Sequence, residues 1–297
     1  MWRPTLPVDL HRTLAPLSRG RGDPTQRVAA DGSIWRTTLA PTGPSTCRLT
    51  QQGPHQITCQ AWGPGAEWAV ASAPDLLGRR DTLHGFDPRH PLVERSHAGH
   101  PGLRLPRTGR VFEALVPAVL EQKVTGQQAK AAFYRLLGTY GTEPPGPAPE
   151  GMRVQPPAHV WATIPSWEWH KAGVEPARSR TIVRAAGLVG RLEESVDLDP
   201  SAALARLRVV PGVGEWTAAE VAQRAFGDPD AISVGDYHLS QFVGWAMVGR
   251  PLDDAEMVAL LEPWRGHRQR VVRLLELSGA SKPRFGPRLT IADHRKR

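Results

Sequence analysis

One stretch restricts this chain more than any other: residues 209–240, VVPGVGEWTAAEVAQRAFGDPDAISVGDYHLS. It opens on a tight turn, Pro211-Gly212-Val213-Gly214, and an amphipathic helix is expected over about 215–226. A Gly-Asp-Pro-Asp loop follows, then a lone acid, Asp236, with His238 two residues on. Upstream, Asp199-Pro200 places a capping residue and a first-turn proline at the start of another helix. The element is helix, glycine hairpin, helix, acid. Gly212 and Gly214 permit positive φ and close approach of the backbone to another surface. The first amides of the second helix lack intrahelical acceptors, and the helix dipole adds positive charge there, so the turn can grip a phosphate without a cationic side chain. A GxG turn can equally do no more than join two packed helices.

The sequence around the turn resembles the helix-hairpin-helix DNA glycosylases (HhH-GPD superfamily). The match rests on Val210-Pro211-Gly212-Val213-Gly214-Glu215-Trp216-Thr217-Ala218 followed by Val234-Gly235-Asp236-Tyr237-His238. Within that superfamily the chain most resembles the bacterial 3-methyladenine DNA glycosylase II, or AlkA, type. Two further blocks support this: His100-Pro101-Gly102-Leu103-Arg104-Leu105-Pro106 leading to Glu121-Gln122-Lys123-Val124-Thr125, and Pro263-Trp264-Arg265-Gly266. The resemblance is good over about residues 103–277 and loose over the first hundred.

It implies an α+β protein: a mainly helical glycosylase core over 105–297, after an N-terminal domain, 1–104, built on a small antiparallel sheet. It also implies a monomeric, monofunctional DNA glycosylase that flips alkylated purines of the 3-methyladenine and 7-methylguanine kind out of duplex DNA and hydrolyses their N-glycosidic bond. Asp236 is then the catalytic carboxylate, and Trp216, Trp264 and Glu220 line the base pocket. Gly212, Val213, Gly214 and Thr217 grip the DNA backbone, and Gln122 and Lys123 form the wedge that enters the duplex. No cofactor is required, although the carbonyls of Arg208, Val210 and Val213 can hold a structural Na+ or K+ at the hairpin.

The chemistry suits these residue types. Positive charge develops on the deoxyribose as the C1′–N bond breaks, and a carboxylate beside C1′ stabilises it and orients the attacking water. An N3- or N7-alkylated purine is already cationic and leaves as a neutral molecule, so one acid suffices. Extruding the base costs a few kcal/mol, and aromatic faces attract a cationic base. Asp236 can also be read as a cap for a helix beginning near Tyr237.

Two departures from the family pattern matter. Lys123 stands where relatives often carry an apolar wedge, and Glu220 where they often carry Tyr. Trp216 occupies the position of the nucleophilic lysine of relatives with lyase activity, and no lysine lies between Lys171 and Lys282. Two other readings stay open: a non-catalytic hairpin protein that recognises damaged DNA, and a glycosylase for oxidised or deaminated bases.

A formal net charge of +8 favours a polyanionic partner. Cys47 and Cys59 are too few for a four-ligand metal or iron–sulfur site and read as buried apolar residues. No apolar run reaches the ~18 residues of a membrane span, and the N-terminus lacks a signal-peptide core, so a cytoplasmic protein is expected.

Alternating strands are expected over 33–39, 45–50 and 55–62, and a helix over 67–77. The His-rich segment 84–100 reads as a polar connecting loop. Apolar spacing predicts a helix from Val111 that Pro117 interrupts or kinks, and another over 127–140. The Pro/Gly-rich 142–157 is a surface loop, and Trp161, Ile164, Trp167 and Trp169 after it pack inward. Residues 177–192 read as one basic helix whose Arg178, Arg180, Arg184 and Arg191 face solvent, with phosphate contact as the alternative reading. Helices over 254–261 and 267–277 and a frayed basic tail, 289–297, complete the chain.

Overall fold

A computed structural model describes residues 1–283, so the basic tail lies outside the described residues. A short helix α1 (Leu10–Leu14) precedes an antiparallel meander of β1 (Gln26–Val28), β2 (Ile34–Ala40), β3 (Gly43–Gln51) and β4 (Ile57–Trp62). The sheet order is β1-β2-β3-β4, with β2 and β3 in register from Ile34↔Leu49 to Ala40↔Gly43. Ile34, Cys47, Leu49 and Ile57 form one core with α1 and with α2 (Ala66–Leu76) through Leu10, Leu14, Ala73 and Leu76. Cys47 is buried as expected, whereas Cys59 is only half-buried.

The remaining elements are helical: α3 (Pro91–Gly99), α4 (Val111–Leu120), α5 (Gly126–Tyr140), α6 (Ala158–Thr163), α7 (Ser166–Lys171), α8 (Pro176–Gly187), α9 (Val189–Glu193), α10 (Pro200–Arg208), α11 (Glu215–Val221), α12 (Leu239–Val248), α13 (Asp254–Leu261) and α14 (Arg268–Leu277). They build two apolar clusters. One is centred on α4, with Leu115, Val119, Phe133, Trp161, Ile182, Leu207 and Val221. The other joins Val93 and Leu103 to Ile232, Val243, Met257, Trp264 and Val271. The protein is therefore α+β, a small antiparallel sheet beside a larger helical body.

The expected connecting loop over 84–100 contains α3. Pro91 supplies its first turn, and His90 Nδ1 accepts the Leu92 amide at 3.2 Å. The segment before it is strapped to the C-terminal helix, because Arg270 donates to both carboxylate oxygens of Asp81 and to the Thr82 carbonyl.

Pro117 does not break α4. A proline there removes the N–H that would bond the carbonyl four residues back, that of Glu113. Gln155 Nε2 donates to that carbonyl instead, at 3.0 Å. The same contact shows that the 142–157 loop is not wholly superficial. Thr142 and Val154 exchange backbone hydrogen bonds, and Met152, Val154 and Gln155 are buried between sheet and helices.

Three more expectations need correction. The basic segment 177–192 forms two helices, α8 and α9. Arg178 is 5% exposed rather than facing solvent. Trp167 is 62% exposed, while Trp161 and Trp169 are buried and stacked.

Candidate functional site

The hairpin joins α10 to α11. Asp199 caps α10 by accepting the Ala202 amide at 3.0 Å, with Pro200 in the first turn. The chain then turns tightly, Val213 N donating to the Val210 carbonyl at 2.9 Å. Gly212 has φ +98°, a conformation side chains disfavour, and a Cβ there would collide with the Thr181 hydroxyl of α8. Thr181 in turn donates to the Pro211 carbonyl at 3.3 Å. From the other side, Gln122 Nε2 donates to the Gly212 carbonyl at 2.9 Å and to Thr217 Oγ1 at 2.8 Å. The hairpin is thus held between α8 and the end of α4, with Gly212 and Gly214 exposed. The Thr217 side chain is 2% exposed and belongs to this internal bracing.

Beyond α11 the helix widens into a π turn, Ala222–Phe226, closed by Gly227 in the left-handed region. This turn brings the following loop back over α11. Asp236 sits in that loop, half-buried, and its two oxygens do different work. Oδ1 accepts the amides of His238 at 2.8 Å and Leu239 at 3.0 Å, so it caps α12. Oδ2 accepts Trp216 Nε1 at 3.2 Å. The capping role weighed from the sequence and the approach to the hairpin helix occur together. Tyr237, beside this acid, is among the most exposed large side chains.

The loop is fastened along its length. Asp230 takes the Gly266 and Arg268 amides and a two-pronged contact from the Arg268 guanidinium at 2.8 and 2.6 Å. Burial pushes the Asp230 carboxyl upward, but these donors prevail and hold it below the ordinary range. Gln223 donates to Ala231 O and Ser233 Oγ, both at 2.9 Å. The Ser233 hydroxyl donates to Glu220 Oε1 at 2.5 Å, and Arg224 pairs with Glu220 Oε2 at 2.8 Å. Both Glu220 oxygens are engaged, so the residue links α11 to the Asp236 loop. Trp264 is 7% exposed and gives its indole N–H to the Asp87 carbonyl. It shares a cluster with Ile232, Val234 and Leu239, and so lies behind the loop that carries Asp236.

The turn after α4 is braced on both sides. Arg178 Nη1 donates to the Leu120 carbonyl at 2.8 Å, and Arg19 pairs with Glu121 at 2.5 Å. Thr125 and Gln128 form a capping box at the start of α5. Between these anchors Lys123 is exposed, with φ +55°.

Sequence reasoning missed Thr181, Arg178 and the Asp230–Arg268 anchor. Only Arg178 left a sign, as a cation on the same helical stripe as Ile182 and Ala185. Among the described residues no cluster of three or more His, Cys, Asp or Glu could hold a metal ion. No helix among them is long and apolar enough to cross a membrane.

Known proteins share this architecture. The structure of the 3-methyladenine DNA glycosylase from Archaeoglobus fulgidus superposes with a TM-score of 0.77, at 17% identity over 94% of this chain and 98% of that one. A Mycobacterium tuberculosis protein named "Probable bifunctional transcriptional activator/DNA repair enzyme AlkA" is 33% identical over 178 residues, covering 56% of this chain and 34% of that protein. The fold is the one the Archaeoglobus 3-methyladenine DNA glycosylase adopts, and over those 178 residues the sequence is similar to the Mycobacterium AlkA. The 8-oxoguanine glycosylase/lyase of Clostridium acetobutylicum also shares the fold, at a TM-score of 0.69, with 12% identity over 92% of this chain and 93% of that one. The chain spans about a third of the length of the curated relatives it matches. No family model matches it.

Proposed function

We propose that this protein is a monofunctional DNA glycosylase that extrudes an alkylated purine, of the 3-methyladenine or 7-methylguanine kind, from duplex DNA and hydrolyses its N-glycosidic bond. The observation that carries the reading is the Asp236 carboxylate, half-exposed and hydrogen-bonded to Trp216 on the hairpin helix. A capping acid needs only one oxygen; the second is presented where a flipped nucleotide would meet both the acid and an indole.

In this reading the amides at the start of α11, around Gly212, Val213 and Gly214, receive a phosphate. Thr217 and Gln122 keep that turn in shape, and Lys123 fills the gap left by the extruded nucleotide with its methylene stem. Trp216 faces the base, Trp264 backs the pocket, and Glu220 fixes the distance from α11 to the acid. The C1′–N bond breaks with its electron pair passing to the cationic base, which leaves neutral. Asp236 stabilises the developing positive sugar, and water adds to C1′ and gives up its proton to the carboxylate or to solvent. With Trp216 at the lysine position of the lyases and no lysine between 171 and 282, water rather than an amine is the nucleophile. The Val210 carbonyl already accepts the Val213 amide and keeps a lone pair for a monovalent ion shared with Arg208 and Val213. Such an ion would only stiffen the hairpin.

Asp236→Asn tests the reading. Asn preserves the cap on α12 but removes the charge. Release of 3-methyladenine or 7-methylguanine from methylated duplex DNA should fall at least about 100-fold while DNA binding persists. Release by the variant at the wild-type rate would remove Asp236 from the chemistry. DNA binding by the wild type without release of any alkylated base would leave a damage-recognition protein or a glycosylase for oxidised or deaminated bases.

A further inference from the structure

Beside the hairpin runs a groove whose arginine-bearing wall the proposed reaction does not use. Gln122, Ala177, Arg180, Thr181, Arg184, Pro211 and Gly212 line it. One wall is the hairpin turn itself and the other is the exposed face of α8. Arg180 and Arg184 stand four residues apart and so share that face. Both are exposed, and neither meets a carboxylate within ion-pair distance among the described residues. Arg79, Arg80, Arg206, Arg250 and Arg265 are paired with acids, whereas Arg21, Arg95, Arg135, Arg191 and Arg208 are, like Arg180 and Arg184, exposed without an ion pair among the described residues. What sets Arg180 and Arg184 apart is their place beside the hairpin. Arg178, on the same helix, is turned inward on the Leu120 and Gly173 carbonyls. The groove is a place where two neighbouring positive charges are left without an acid partner, beside Gly212.

We infer that this groove is a second backbone-binding track. It takes one or two phosphates of the DNA strand whose neighbouring phosphate lies on the hairpin amides, with Arg180 and Arg184 as the contacting residues. The inference rests on the DNA-glycosylase reading and extends it to Arg180 and Arg184 on α8, which that reading leaves idle. The chemistry favours phosphate. The groove offers planar, weakly hydrated guanidinium groups at fixed spacing, which suit bidentate contact with phosphate oxygens. It offers no acid to select a cation. Thr181 links the two sites physically, since its hydroxyl touches the hairpin and its neighbours on α8 line the track.

Phosphate contacts carry a distinct signature, because each one formed releases a counterion and steepens the salt dependence of binding by about 0.9. The test compares the full chain with Arg180→Gln/Arg184→Gln, measuring affinity for duplex DNA containing an abasic-site analogue across salt. An Arg79→Gln/Arg80→Gln chain, with the same charge change in the turn after α2, is the control. The slope of log affinity against log salt should fall by about 1.8 in the first variant and hardly at all in the control. Between roughly 50 and 200 mM salt the wild type should then lose about twelvefold more affinity than the variant. An unchanged slope, or an equal fall in the control, would overturn the track. If the wild type shows no salt-dependent DNA binding at all, it is the glycosylase reading that fails.

Discussion

Gly212→Ala probes the hairpin most directly. The glycine has φ +98°, and an added Cβ would collide with Thr181 Oγ1 and lie 3.1 Å from both Thr181 Cβ and Cγ2. The backbone conformation alone should cost about 1–2 kcal/mol for a residue with a side chain. Crowding against α8 adds about 1–3 kcal/mol, because the hairpin cannot retreat while Gln122 holds the Gly212 carbonyl and Thr217. The expected total is about 2–5 kcal/mol. Thr181→Ala separates the two parts. By itself it should cost about 1 kcal/mol for the hydroxyl's bonds to Ala177 and Pro211. In the double variant the crowding disappears and the backbone strain remains. Chemical denaturation of the four proteins of the cycle should show a favourable coupling of about 1–2 kcal/mol. DNA affinity should fall in Gly212→Ala and recover in part in the double variant. A single-variant cost below about 0.5 kcal/mol, or a zero coupling, would refute the close packing of hairpin on α8.

Two further outcomes are expected. Trp216→Phe keeps most of the ring but deletes the donor to Asp236 Oδ2, so single-turnover base release should drop about tenfold with little change in stability; release at the wild-type rate would show that the indole N–H does not position the acid. Asp230→Asn should cost about 1–2 kcal/mol near neutral pH, allowing for solvent screening of a side chain that is 25% exposed. Because the native Asp230 carboxyl is held below its unfolded value, its contribution is complete above about pH 4 and is lost as pH falls through the depressed value. The difference between the two proteins, followed by denaturation from neutral pH down to acid, should therefore shrink on the acid side. A gap that persists undiminished in strong acid would contradict the assignment.

The order helix, glycine hairpin, helix, acid was legible because it is written in local chemistry. Asp199-Pro200 starts a helix, Gly212 permits a turn no side chain favours, and apolar spacing marks α11 and α14. Helical propensity was less reliable where tertiary contacts substituted for local ones. Pro117 reads as a break, yet α4 continues because Gln155, distant in sequence, satisfies the carbonyl that proline leaves open. The His-rich segment reads as a loop, yet α3 forms there because His90 and Pro91 start it and α14 buries Val93.

The sequence by itself determined which residue types were available: a lone acid twenty positions after an indole, glycines where the backbone must turn, and a surplus of arginine. The tertiary structure decided what each side chain does. It turned Arg178 inward and left Arg180 and Arg184 outward, spent both oxygens of Glu220 on bracing, and brought Asp236 within hydrogen-bonding distance of Trp216. The physical reason is range. Caps, turns and amphipathic faces arise from residues within a turn or two of one another. The partners that assign a charge to core, brace or open groove are drawn from helices brought together only when the apolar clusters close.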